Sequence, residues 1–455
     1  MPSYWDKRPG DAKNLRLLTA SGMWRQWSDE VSDDAPGPPT PATGAKKRIV
    51  DALQQALHST NVMVLLGSGA SFGASNESGV RAPGMKDLWI AVRDAYEVSA
   101  PGKFNHLVED LLGVKLGEDE NQAPQTGNIE ILLSHCKMTI EMLTTKSATI
   151  KAEAAKSLEA PAFSLDVEIA RLTSFVGIAE KAILKSVNFV SDETTLVAHN
   201  DLLMKLARRS PEKPRVRIFT TNYDLCIEEA ALRLNAVLID GFSHSARQRY
   251  NRDNFEHDIV RRRPSASQAD YIDAVFHLYK MHGSVDWRRQ REIVIRSMDA
   301  DLTKFQPVLI YPRSSKYQEA FDAPYLDQFA AFQAALREPD TTIIISGFGF
   351  ADDHISAPIW AALQSNLSLH LVLCDVAFIH DPKLDGGEHD IPLDMAGCNT
   401  HQKRILNLAV LGDRRVTILN GRFEDLTSAI PMIEGRTDRQ RIEELIAAVN
   451  SAVPK

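Results

Sequence analysis

The chain has 455 residues, 44% apolar and 25% charged, enough to bury a sizeable core in one large domain or two. Its formal net charge of −8 argues against broad affinity for nucleic acid, and no direct nucleic-acid binding is expected. No apolar run reaches the roughly 18 residues of a membrane span, and the N-terminus lacks the apolar stretch of a signal peptide, so a cytoplasmic protein is expected. The four cysteines, Cys136, Cys226, Cys374 and Cys398, stand far apart without a Cys-x-x-Cys pair, which disfavours a disulfide framework and a cysteine-rich zinc site. The basic clusters 46–48 and 261–263 read as solvated charge.

Residues 28–44 are acidic, then rich in Pro, Thr and Gly, the composition of a flexible linker. The segment before them carries Trp5, Leu15, Leu17, Leu18, Met23, Trp24 and Trp27, too apolar for a free tail, and is expected to dock on the body or on another subunit. Residues 1–45 are therefore set apart as an extension and linker, ahead of a domain over 46–455. From Arg48 the apolar spacing predicts a helix, then a buried strand at 61–66 and a helix at 84–97. Residues 129–208 read mostly as helices, a helical insertion at about 126–210. Strands return at 215–221, 274–283, 291–296, 307–312, 341–347, 369–375 and 415–420, with helices between several of them. Strand–helix alternation with apolar strands predicts an α/β fold with a mainly parallel sheet. A closing helix is expected from about Asp438, with Thr437 as its N-cap.

Four strand ends carry polar or glycine-rich turns. "VLLGSGAS" (64–71) leaves a strand through Gly67 and Gly69, which suits either a tight turn or the close approach of a pyrophosphate to the backbone. In "FTTNYDLCIEEA" (219–230) Asn222 or Asp224 caps the following helix or meets a ligand at the sheet edge. In "YKMHGSVDW" (279–287) His282 is a general-base candidate or an ordinary loop histidine. In "IIISGFGFADDHI" (343–355) the pair Asp352-Asp353 suits a helix start, while an Asp-Asp-His metal site lacks a further ligand at fixed spacing. All four fall at one edge of a parallel sheet, and that convergence favours a nucleotide site.

In order, "GSGAS", "TTNYD", "MHGS" and "SGFGF" resemble the motifs of the sirtuin superfamily, over about residues 60–380 with long insertions. The resemblance implies a Rossmann-like sheet that binds NAD⁺. By position, Gly67, Gly69, Ala70 and Ser71 would cradle the phosphates, and Ser346 and Gly347 would line the adenosine side. Asn222 would hold the nicotinamide ribose or the attacking water. Asp224 would contact the carboxamide, with Thr221 also at the cofactor. His282 would be the base. The usual Asp-Phe-Arg after the glycine loop is missing, which leaves Arg81 without an assigned role, and the four-cysteine zinc ribbon of protein deacylases is absent. With the helical insertion, including "GNIEILLSH" (127–135), this looks like the prokaryotic sirtuin-like proteins of antiphage defence, which hydrolyse NAD⁺. The resemblance thus implies an NAD⁺ glycohydrolase, regulated, needing no metal. It also implies homo-oligomers and a partner chain such as a HerA-like ATPase or a short Argonaute. The alternatives are an NAD-dependent protein deacylase and a non-catalytic NAD or ADP-ribose sensor.

Overall fold

Strict alternation along a fully buried strand needs apolar cover on both faces, and the segment Asn61–Leu66 shows it: Val62, Val64 and Leu66 join one core, Met63 and Leu65 the other. The computed structural model describes residues 9–27, 45–76, 79–114, 129–157, 163–262, 270–298, 305–309, 323–379 and 391–433. Their strands are β1 (Arg16–Leu18), β2 (Met23–Gln26), β3 (Asn61–Leu66), β4 (Val216–Thr220), β5 (Val237–Ile239), β6 (Val260–Arg261), β7 (Asp270–Tyr271), β8 (Val275–Lys280), β9 (Gly283–Gln290), β10 (Ile293–Arg296), β11 (Gln306–Leu309), β12 (Thr341–Ser346), β13 (Leu369–Cys374), β14 (Ile391–Pro392) and β15 (Val416–Asn420). Their α-helices are α1 (Ala45–His58), α2 (Met85–Ser99), α3 (Phe104–Leu112), α4 (Ile129–Ser157), α5 (Phe163–Val187), α6 (Val197–Leu206), α7 (Cys226–Arg233), α8 (Tyr325–Ala335), α9 (Asp353–Ser365), α10 (Thr400–Val410) and α11 (Phe423–Ala429).

Among the described residues, ten strands form one sheet in the order β14-β2-β1-β15-β13-β12-β3-β4-β8-β5. From β15 to β5 every pairing is parallel, and the β1, β2 and β14 edge is antiparallel. This is the mainly parallel, Rossmann-like α/β sheet that the sequence predicts. One face carries Ile49 and Leu53 of α1, Leu202 of α6, Ile227 of α7 and Leu426 of α11. The other carries Phe332 of α8, Ile355 and Ile359 of α9, and Ile405 and Leu406 of α10. Burying both faces is what lets the strands read as continuous apolar runs.

One feature differs from the sequence reading, and two add to it. The N-terminal segment contributes a hairpin to the sheet, with Leu15 and Trp24 fully buried and β1 paired to β15, so its apolar residues cover the body's own edge. The segments at 291–296 and 307–312 were expected among the parallel strands. Instead β10 and β11 flank β9 in a separate antiparallel sheet, because the strand expected at 274–283 ends at Lys280 and the chain turns at Met281-His282 before β9 begins. The helices expected over 129–208 are there as α4, α5 and α6, and α2 and α3 add to the helical unit that α4 and α5 build. Trp89 of α2 and Phe104 of α3 share its core with Leu132 of α4 and Phe175 of α5, while α6 packs on the sheet. Helical periodicity shows a buried face but not which neighbour it meets. The linker at 28–44 and the closing helix from Asp438 lie outside the described residues.

Candidate active site

After β3 the chain adds β4 on one side of it and later β12 on the other. Such a reversal opens a crevice at the carboxyl ends of the strands, where α/β folds bind ligands. The loops after β3, β4, β8 and β12 all end there. They line one cleft with Ser68, Ser71, Thr221, Asn222, Asp224, His282 and Asp352. A second cleft opens on the other side of the glycine turns, beside Ser346, Asp375 at the end of β13, and Gly421 after β15.

The two glycine loops meet backbone to backbone. A Cβ on Gly69 would stand 2.7 Å from the Cα of Gly347, and one on Gly67 would stand 2.8 Å from the Cα of Phe348. Gly347 adopts φ +64, a region that favours glycine. The N–H of Gly67 donates to the Ser346 carbonyl at 3.1 Å and that of Gly69 to the Gly347 carbonyl at 3.1 Å. The N–H of Ala70 donates to the Gly67 carbonyl at 3.0 Å and that of Ser71 to the Ser68 carbonyl at 3.1 Å. These four groups, expected to cradle phosphates, are thus engaged within the protein. Ala70 faces the core, 1% exposed, and lines neither cleft. The glycines of "GSGAS" are required by loop-on-loop contact. The backbone N–H groups of Ser68, Gly347 and Gly349 have no acceptor among the described residues, and these three residues line both clefts. They are the ridge's candidate donors to a ligand.

Asn222 is held from below. Its Nδ2 donates to the Gly67 carbonyl and to Ser71 Oγ, each at 2.9 Å, and its backbone N–H donates to Thr220 Oγ1 at 3.0 Å. The amide nitrogen is therefore spent on the glycine loop, and Oδ1 is its remaining acceptor. Ser71 Oγ donates to Asp224 Oδ2 at 2.8 Å, and Asp224 Oδ1 accepts the N–H of Cys226 at 3.0 Å. Asp224 thus serves the helix-start role open to it, and each oxygen already holds one hydrogen bond. Behind the loop, Lys280, 2% exposed, donates to the Asp224 carbonyl and to Glu228 Oε1 at 2.9 Å. Burial pushes the Glu228 carboxyl above its ordinary range, and the Lys280 ammonium opposes that shift.

His282 sits between β8 and β9. Gly283 follows at φ +91, with Val308 so close that a Cβ would strike its carbonyl. His282 Nε2 lies 2.9 Å from Asp352 Oδ2, with the residues 5% and 6% exposed. The other oxygen, Asp352 Oδ1, accepts the N–H of His354 at 3.0 Å and caps α9. A carboxylate only accepts, so Nε2 is the donor of this bond, which leaves Nδ1 as the ring nitrogen able to take a proton. The sequence reading weighed Asp352 as a helix-start charge and in an Asp-Asp-His metal site, not as a partner of His282. The link to His282 spans 70 positions, and no local pattern marks it. Asp353 is exposed and meets His401 at 3.1 Å, and among the described residues no three metal-ligating side chains cluster.

One further acid lines the first cleft: Glu130 of α4, whose Oε1 accepts the Tyr223 hydroxyl at 3.4 Å. Burial, then the charge of Glu130, pushes the Tyr223 phenol well above its ordinary value, so it stays a donor. Ser346 lines the second cleft, and its buried Oγ has no partner among the described residues. No helix among the described residues is long and apolar enough to cross a membrane.

The sheet and the crevice at its reversal define an α/β domain with two clefts at the carboxyl ends of its strands, where such folds bind ligands. Residues 216–388 match the family model of the SIR2-like domain, which supports a place in the sirtuin-like superfamily. The matched segment holds "TTNYD", "MHGS" and "SGFGF", and the glycine loop after β3 precedes it. SIR2-like domains are typically NAD-dependent enzymes. Comparison with curated proteins finds no match to the chain.

Proposed function

We propose that the protein is an NAD⁺ glycohydrolase, which cleaves NAD⁺ to ADP-ribose and nicotinamide. One observation carries the reading: the His282–Asp352 pair and the anchored Asn222 share a cleft that a glycine ridge separates from a second cleft ending in Asp375. That layout suits a dinucleotide lying across the ridge, with its pyrophosphate on the N–H groups of Ser68, Gly347 and Gly349. An acid at a strand end, here Asp375, is where such folds hold a ribose hydroxyl. Burial pushes the Asp375 carboxyl up, and its backbone hydrogen bonds oppose the shift.

NAD⁺ already carries a good leaving group, and its cleavage resembles glycoside hydrolysis, with positive charge building on the ribose carbon C1′. The bond from C1′ to the pyridinium nitrogen breaks, and its electron pair leaves with neutral nicotinamide. Water bonds to C1′ and gives its proton to His282 Nδ1. Asn222 Oδ1 holds that water or a ribose hydroxyl, and Asp352 keeps the imidazole in the accepting tautomer. Orientation supplies much of the rate, which rigid anchoring of Asn222 provides. Unrestrained loss of NAD⁺ would kill a host, so we also propose regulation. The sirtuin-like resemblance supports a role in antiphage defence, as a homo-oligomer and with a partner chain such as a HerA-like ATPase or a short Argonaute. The test is chromatography of NAD⁺ incubated with the purified chain, with and without an acetyl-lysine peptide. Equal nicotinamide and ADP-ribose without peptide is the expected result. Release that requires the peptide makes the protein a deacylase, and binding without release makes it a sensor.

A further inference from the structure

We infer that Glu424 is the specificity-determining residue of the second cleft: its carboxylate reads a ribose 2′-hydroxyl and rejects a 2′-phosphate, so that NAD⁺ is cleaved in preference to NADP⁺. The inference rests on the NAD⁺ reading above. The charged side chains lining the second cleft are two acids, Asp375 and Glu424, and one base, Arg422. Asp375 is 8% exposed, and its Oδ1 accepts the N–H of Ala377 at 2.9 Å, which builds it into the turn after β13. Glu424 is half-buried, and among the described residues no group of another residue donates a hydrogen bond to its carboxylate. The cleft also holds a buried polar atom without a partner. Ser346 is 1% exposed and lines this cleft, and its Oγ meets no hydrogen-bonding group among the described residues. A hydroxyl left unpaired in a protein interior is costly, and a polar ligand in the cleft supplies the partner.

A glycine makes room for Glu424. A Cβ on Gly73 would strike the Glu424 carboxylate, so the acid lies across the bare backbone of residue 73. Phe72, the preceding residue, lines the same cleft and is 52% exposed, and among the described residues no other phenylalanine or tryptophan is as open. An open aromatic ring in a cleft is a stacking platform for a base. With the pyrophosphate on the ridge at Ser68 and the base on Phe72, the ribose between them falls beside Gly73, where the Glu424 carboxylate lies. A carboxylate accepts the hydrogen of a ribose hydroxyl, whereas a phosphate ester there brings a like charge. Burial pushes the Glu424 carboxyl above its ordinary range and the charge of Asp425 adds to this, while its own backbone N–H and the Arg422 guanidinium pull it back toward the ionised form. Two acids against one base leave this end of the cleft negative, which holds a neutral hydroxyl and repels an added anion.

The test uses the full chain in four forms: wild type, Glu424→Gln, Glu424→Asp and Gly73→Ala. Nicotinamide release from NAD⁺ and from NADP⁺ gives kcat/KM for each. Calorimetric titration compares ADP-ribose with its 2′-phosphate, and thermal melting reports the fold. The wild type is expected to favour NAD⁺ by about 10²-fold or more. Glu424→Gln keeps shape and loses charge. It is expected to lower that preference at least about tenfold, with kcat/KM for NADP⁺ and affinity for the 2′-phosphate both rising above wild type. Glu424→Asp, which keeps the charge, is expected to hold the preference within about threefold of wild type. Gly73→Ala moves the carboxylate without removing its charge and is expected to lower the preference about threefold or more. A wild type that cleaves NADP⁺ as readily as NAD⁺ overturns the inference. So does an unchanged preference in Glu424→Gln, or one that falls only because NAD⁺ is used less, the mark of a structural role. If Glu424→Gln does not fold, an unchanged preference in Gly73→Ala overturns it. A wild type that releases nicotinamide from neither dinucleotide overturns the NAD⁺ reading itself, and the two titrations then still judge Glu424.

Discussion

Replacing Asp352 by Asn separates orientation from folding. In the wild type, one carboxylate oxygen accepts the N–H of His354 and the other accepts from His282 Nε2 at 2.9 Å. An asparagine has one oxygen. Held at the His354 N–H, where it still caps α9, it turns its NH₂ group toward His282. Nε2 must then accept, the ring hydrogen moves to Nδ1, and the nitrogen that would take the water's proton is blocked. Losing a correctly oriented base costs about 10²–10⁴ in rate, which is about 3–5 kcal/mol in barrier height. The cap survives, so the melting temperature should stay within a few degrees. The assay is initial-rate nicotinamide release at saturating NAD⁺, with thermal melting and ADP-ribose titration on the same preparation. Near-wild-type turnover by folded Asp352→Asn would refute the tautomer argument. So would a collapse of ADP-ribose affinity, which would assign Asp352 to binding.

Three further outcomes are expected. Gly69→Val drives a Cβ to within 2.7 Å of the Gly347 Cα and should cost about 1–3 kcal/mol in urea denaturation, and unchanged stability would mean that the two loops do not touch as described. Burial holds His199 and His277 at about 4, against an ordinary 6.5. The unfolded chain therefore binds more protons between those values, so stability is full above pH 6.5 and drains as pH falls toward 4, by about 3 kcal/mol at most for each residue. Denaturation from pH 7 to 4.5 checks this, and His199→Gln should flatten the slope; a slope equal to wild type would contradict the burial argument. Lys280→Met takes from the partly buried Glu228 its ion-pair partner, while the charge of Arg296 remains, and should destabilise the chain by about 1–3 kcal/mol, read by urea denaturation.

What was legible in the sequence followed from local periodicity. The apolar run 61–66 and the helix after Arg48 could be read because burial imposes a pattern within ten residues. The four loops were legible because a parallel sheet brings its carboxyl ends together, so order along the chain implied convergence. The partners in that edge were not. Asp352 reaches His282 across 70 positions, and Glu130 reaches Tyr223 across 93. The glycine loop shows the limit from the other direction. "GSGAS" has the composition of a phosphate cradle, yet the N–H groups of Gly67, Gly69, Ala70 and Ser71 close on protein carbonyls. Glycine content signals that something comes close, and here that neighbour is the backbone at Gly347 and Phe348. The N-terminal hairpin was hidden for a related reason. Strands as short as Arg16–Leu18 carry too few residues to show alternation, and only the open edge of β15 selects them.

The central claim is that Asn222 and His282 work on NAD⁺ in one cleft. It is tested most directly by nicotinamide release from NAD⁺ by the wild type, Asn222→Ala and His282→Ala at equal concentrations of folded protein. The account predicts release by the wild type, none above background for Asn222→Ala, and a loss of about 10²–10⁴-fold for His282→Ala with ADP-ribose affinity largely kept. Wild-type turnover in folded Asn222→Ala would contradict it.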